Sequence, residues 1–69
     1  MTFGDRMKIA REKKGLNQVQ LAELVNISSP MINQVERGSR NATAPLISRL
    51  ADVLDCTTDW LIRGKEDSA

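Results

Sequence analysis

Asn33 and Gln34, with Ser29, Pro30 and Arg37 nearby, fall in a short segment where Ile32 and Val35, three residues apart, turn one way and these side chains face elsewhere. An amide carries donors and an acceptor on one small head. Two amides beside a guanidinium therefore suit hydrogen bonding to a patterned edge, such as the major-groove edge of a DNA base. Catalysis needs other groups, and the chain does not supply them. It has no His, one Cys, no cleft-forming cluster of carboxylates and no glycine-rich phosphate loop, so no general base, nucleophile or zinc site can be assembled. The expectation is a protein that is not an enzyme and that uses no cofactor, metal or small-molecule substrate. Cys56, alone, excludes an internal disulfide, reads as small core filler between two helices, and points to a reducing, cytoplasmic setting.

The elements that must carry these side chains are short helices. Asn17 is placed to cap a helix that turns Leu21, Ala22 and Val25 to one face, and small Ala22 lets another helix approach. Asn26 tolerates a left-handed backbone and ends that helix; Ser28 then caps the next, whose buried residues are Ile32 and Val35. Two short helices joined by so tight a turn are the signature of a DNA-reading helix-turn-helix. Before it, residues 3 to 14 place Phe3, Met7 and Ala10 at helical spacing, with Lys13 and Lys14 in the last turn and Gly15 as stop. After it, Gly38 ends the run and residues 39 to 43 form a polar loop. Thr43 caps a fourth helix, with Pro45 in its first turn and Leu46, Leu50, Ala51 and Leu54 inward. That helix breaks near Asp55-Cys56, and Thr57 caps a fifth containing Trp60, Leu61 and Ile62, stopped by Gly64. The chain thus reads as all-α, one domain over residues 1 to 64, with a short flexible tail at 65 to 69.

A chain of 69 residues builds one small core, burying roughly 60% of its unfolded surface. One Phe, one Trp and no Tyr leave that core aliphatic, which favours packed helices over a β-sandwich. The net charge of +1 hides an uneven distribution. Residues 1 to 42 hold seven basic and four acidic side chains, net +3, whereas the remainder hold three basic and five acidic, net −2. The positive half surrounds the candidate reader, as a nucleic-acid partner would require. Nothing resembles a signal peptide, and no apolar run approaches the roughly 20 residues that span a bilayer, so no membrane role is expected.

In order and spacing, Arg11, Gly15-Leu16-Asn17-Gln18, Leu21-Ala22, Ile32, Glu36, Gly38 and the ending Asp59-Trp60-Leu61-Ile62-Arg63-Gly64 resemble the lambdoid phage repressor and Cro family, also described as xenobiotic-response-element-type regulators. The resemblance covers nearly the whole chain. It implies a compact five-helix lambda-repressor-like DNA-binding domain in which helices 2 and 3 form the helix-turn-helix. It also implies roles for individual residues. Arg11 and Glu36 are similar to a buried structural ion pair tying helix 1 to the end of the recognition helix. Gln18 matches a position that contacts a DNA phosphate, and Ser28, Arg37, Arg40, Asn41 and Thr43 follow as further phosphate contacts, which fix register without reading sequence. Lys8, Lys14 and Ser39 lie near the same rim. Base reading falls to Ser29, Pro30, Asn33 and Gln34. Gln34 is favoured, through a bidentate contact to adenine, and Asn33 competes with it. Pro30 departs from a glutamine common in the family and serves equally as a helix starter or as an apolar contact to a thymine methyl; the role of Met31 stays open. Asn26 replaces a frequent Gly, and the loop from Ser39 to Thr43 is one residue longer than the family pattern.

Trp60, Leu61 and Ile62 are the dimer-contact candidates, because a related surface forms the two-fold contact in similar repressor domains. Such a homodimer sets two recognition helices in successive major grooves, about 34 Å apart, over a near-palindromic operator. The expected function is sequence-specific binding of double-stranded DNA by a phage or bacterial transcriptional regulator, with repression favoured over activation, in the cytoplasm and on the nucleoid. The chain reads as a complete Cro-like regulator or as the DNA-binding part of a longer repressor. The alternatives are an antitoxin of a toxin-antitoxin pair and a protein-interaction module on the same fold.

Overall fold

Helix α1, Phe3–Lys13, opens with a reciprocal cap in the computed structural model, which describes residues 1–64. The Thr2 hydroxyl accepts from the Asp5 N–H and the Asp5 carboxylate accepts from the Thr2 N–H, both at 3.1 Å. The Thr2 N–H, and after it the Thr2 hydroxyl, hold the Asp5 carboxyl below its usual range. Four more helices follow: α2, Gln18–Val25; α3, Ser29–Arg37; α4, Ala44–Leu54; and α5, Thr58–Arg63. No strand occurs among the described residues. Residues 65 to 69, read above as a tail, lie outside the described residues.

Helices α2 to α5 each begin at the cap expected from the sequence. Asn17, Ser28, Thr43 and Thr57 sit in extended backbone, and the side chain of each accepts an N–H from the first turn. Asn26 closes α2 in the left-handed region at φ 60°, and Asp55 does the same for α4 at φ 55°. Asn and Asp are the side chains that enter this region most readily after Gly, so both turns are local consequences of residue type.

The inward faces make one aliphatic core. Met7 and Ala10 come from α1, Leu21, Ala22 and Val25 from α2, Ile32 and Val35 from α3, Leu46, Leu50, Ala51 and Leu54 from α4, and Leu61 from α5. Phe3, Met31, Cys56 and Trp60 pack partly against it, which gives Met31 a place at the core margin. Helices α2 and α3 pack most extensively on each other, α1 covers α3, and α4 and α5 close the remaining side. None of the described helices is long and apolar enough to cross a membrane.

Two contacts across this core had no counterpart in the sequence reading. Arg6 is 8% exposed, and its guanidinium donates to three backbone carbonyls: Leu61 from Nε at 2.8 Å, Ile62 from Nη2 at 2.8 Å and Met1 from Nη1 at 2.9 Å. It thereby satisfies carbonyls at the end of α5 that have no partner within so short a helix. Gly4 lies where α1 crosses the end of α3. A Cβ there would sit 2.6 Å from the Val35 carbonyl oxygen and closer still to that of Glu36.

Candidate nucleic-acid interface

The base of the candidate reading surface is a buried ionic cluster. Arg11 Nε donates to Glu36 Oε2 at 2.6 Å and Nη2 to Oε1 at 3.2 Å, with side-chain exposures of 10% and 4%. Arg11 Nη1 also donates to the Leu16 carbonyl at 2.8 Å, so α1, the α1–α2 turn and the end of α3 are joined through one guanidinium. This fork geometry satisfies both carboxylate oxygens, the condition under which a shielded pair is tolerated.

Gln18 joins the same cluster from the first turn of α2, where its Nε2 donates to Glu36 Oε1 at 3.1 Å. The carboxylate and a phosphate both only accept, and Nε2 carries two hydrogens. One is held by Glu36, which leaves the second available to another acceptor. Gln20 completes the start of α2: its side-chain oxygen accepts the Asn17 N–H at 2.9 Å, and its backbone N–H is capped by Asn17 Oδ1 at 2.8 Å.

Along α3, Ser29, Asn33 and Gln34 are half-buried and Pro30 is exposed. Pro30 occupies the first turn, where a backbone N–H has no helical partner to lose, so the helix-starting role is satisfied by its position. Asn33 Oδ1 accepts from Arg37 Nη1 at 3.4 Å, one turn further on. Gln34 Oε1 accepts from Arg40 Nε at 2.9 Å. The loop after α3 is anchored to the same residue, because Ser39 donates to the Gln34 carbonyl from both its N–H at 3.0 Å and its hydroxyl at 3.2 Å. The structure therefore brings Gln34, Arg37, Ser39 and Arg40 together around the end of α3, with Asn33 alongside.

The other candidates for phosphate contact are placed as follows. Ser28 and Thr43 use their hydroxyl oxygens as helix caps, at 3.3 and 3.4 Å from the capped nitrogens, and keep a hydroxyl proton to donate. Asn41 is exposed and shares a surface depression with Phe3, Arg40, Ile47 and Ile62. Lys8 is exposed on α1, whereas Lys14 faces Asp55 at 3.9 Å.

The three dimer-contact candidates are not equivalent. Leu61 is fully buried in the protomer core, so its inclusion is corrected: a side chain with no accessible surface cannot meet a partner. Ile62, 51% exposed, and the half-buried Trp60 do present surface. They open onto different depressions, Ile62 beside Asn41 and Trp60 beside Lys13, Lys14, Leu54 and Cys56. Cys56 itself is partly buried, and that burial, reinforced by the Asp55 carboxylate, pushes its thiol up. Among the described residues, no group of His, Cys, Asp or Glu is arranged to hold a metal ion.

The signals for Arg6 and Gly4 were weak. An isolated Gly inside a helical pattern lowers helix propensity, and Gly4 is such a residue, but that alone does not identify the neighbour it approaches. Nothing about Arg6 as a residue type separated it from the solvated cations of the same helix.

Comparison with known proteins places this geometry in a wider setting. The family profile described as helix-turn-helix matches residues 7–61. The HTH-type transcriptional regulator DicA of Escherichia coli (strain K12) is 33% identical over 67 residues, 97% of this chain and 50% of the regulator, so the chain spans about half that relative's length. The P22 c2 repressor bound to a synthetic operator superposes with a TM-score of 0.90 at 28% identity, covering 94% of this chain and 98% of the repressor chain. The restriction-modification controller protein C.AhdI of Aeromonas hydrophila gives a TM-score of 0.81 at 38% identity, with 87% and 91% coverage.

Proposed function

Because the chain belongs to the helix-turn-helix family, we propose that it is a sequence-specific double-stranded DNA-binding transcriptional regulator, acting as a repressor from a near-palindromic operator. The observation that carries this reading is the pairing of Asn33 with Arg37 on α3 and of Gln34 with Arg40 in the loop after it, downstream of Ser29 and Pro30 in the first turn of α3 and beside the locked Arg11–Glu36 pair. The similarity to a repressor captured on operator DNA supports it.

In this reading α3 enters the major groove and the four polar or apolar side chains meet base edges. Gln18 donates its second side-chain N–H to a phosphate at the start of α2, where backbone N–H groups and the helix dipole also favour an anion. Ser28, Arg37, Arg40, Asn41 and Thr43 follow the backbone on either side. Trp60 and Ile62 supply surface for a homodimer whose recognition helices lie about one turn of DNA apart. Repression follows from occupying a promoter in the bacterial cytoplasm, on the nucleoid, with no catalytic step or cofactor.

Selection from a random duplex library at about 150 mM salt, followed by affinity against salt for the selected sequence, tests the reading. A two-fold motif with half-site centres about one helical turn apart is the expected result. Uniformly weak affinity for every duplex, with no enrichment, overturns it.

A further inference from the structure

Both amides on the exposed side of α3 have their oxygens occupied by arginines. Arg37 Nη1 reaches Asn33 Oδ1 at 3.4 Å and Arg40 Nε reaches Gln34 Oε1 at 2.9 Å. A guanidinium can only donate, so each amide must turn its oxygen to the arginine and its NH2 group away; the reverse orientation would oppose donor to donor. The Gln34 bond is the shorter, and it crosses from the helix to the loop beyond the Gly38 cap. That loop is itself held against Gln34 by the two Ser39 bonds to the Gln34 carbonyl.

We propose that Arg40 is a specificity-determining residue: by holding Gln34 Oε1, it sets which end of the Gln34 amide meets the base edges, so base preference under Gln34 depends on both residues. The inference rests on the DNA-reading assignment above and goes beyond it, because a phosphate-contacting arginine would fix register only. An unanchored glutamine rotates about its last torsion and offers oxygen or NH2 with similar ease. It can therefore accept from cytosine N4 or adenine N6, or donate to guanine O6 and N7, adenine N7 or thymine O4. The anchored amide leads with its donor. Cytosine, whose groove edge presents only a donor, is the base it rejects most strongly.

In the free protein this pair is solvent-exposed, and water competes for both groups. Docking α3 into a groove removes that water, which strengthens the bond at the moment when discrimination occurs. Arg40 keeps Nη1 and Nη2 for a neighbouring phosphate, so one side chain clamps the backbone and orients the reader.

The test uses the whole chain as wild type, Arg40→Ala, Gln34→Ala and the double variant, each checked for an unchanged melting curve. Affinity is measured for the selected operator and for operators substituted at one base pair at a time. Wild type is expected to discriminate at one base pair in each half-site that Gln34→Ala flattens. Arg40→Ala should lower discrimination at that same pair on the order of tenfold. In the Gln34→Ala background it should add only a sequence-independent loss, with the salt slope reduced by about one unit. If Arg40→Ala weakens all operators equally and leaves the preference under Gln34 intact, Arg40 is a phosphate clamp and this inference fails alone. If wild type prefers no operator over another, the DNA-reading assignment fails with it.

Discussion

The Arg6 guanidinium holds the Leu61 carbonyl oxygen at 2.8 Å, tying the first helix of the fold to the end of the last. The residues are 55 positions apart, so this bond closes the chain on itself. Two further, part-buried bonds run from the same guanidinium to the Ile62 and Met1 carbonyls, so one side chain joins three backbone groups.

Arg6→Ala is therefore expected to destabilise the domain by about 2–4 kcal/mol, the scale for losing one buried and two part-buried charge-assisted bonds. Arg6→Lys should recover only part of that, since one ammonium does not reproduce a planar fork. Equilibrium urea unfolding gives the answer, and an Arg6→Ala midpoint equal to wild type would show that the bonds contribute nothing net.

At the Arg11–Glu36 pair, truncation of one partner should be worse than replacement of both. Arg11→Ala or Glu36→Ala leaves a shielded charge without its counterpart, at a cost of about 3–5 kcal/mol. The double change Arg11→Met and Glu36→Leu should lie closer to wild type than either single variant. If the losses of Arg11→Met and Glu36→Leu measured singly simply add in the double variant, the two charges are not coupled.

Gly4 sits too close to the end of α3 for any side chain. Gly4→Ala forces the α1 and α3 backbones apart and should cost about 1–3 kcal/mol, even though Ala is the better helix former. Thermal melting distinguishes the two effects by sign: a raised Tm would mean that helix propensity outweighs the steric conflict.

Cys56 gives a test that depends on pH. Burial, then the Asp55 carboxylate, pushes its thiol above the ordinary value of 9.0, so the folded protein favours the neutral form. The stabilising contribution is complete below the unfolded pKa and is lost as pH rises through the folded one. Alkylation by iodoacetamide at pH 8 should accordingly be slower for the folded protein than for the same chain in denaturant. Equal rates would show that the thiol is neither shielded nor shifted.

Residue types and their helical spacing were enough to give the five helices, the caps and turns of α2 to α5, and most of the core. Asn17, Ser28, Thr43 and Thr57 cap because a side-chain oxygen reaches an N–H within three residues, and Asn26 turns because of its own backbone preference. Met7, Leu21, Ile32 and Leu50 could be placed inward because helical spacing alone selects one face. The Arg11–Glu36 pair was reached through a family resemblance and not through spacing. The rest depends on how the helices cross. Their packing buried Leu61 while leaving Ile62 exposed, drew Arg6 onto the end of α5, required Gly at position 4, and set Glu36 behind Gln18 and Arg40 against Gln34. Leu61 and Ile62 are adjacent apolar residues on a short helix, and only the packing of α5 decides which of them turns inward; the polar groups are satisfied equally well by water and Gly4 by many conformations, so nothing within four residues of them reveals the partner they find when the helices pack.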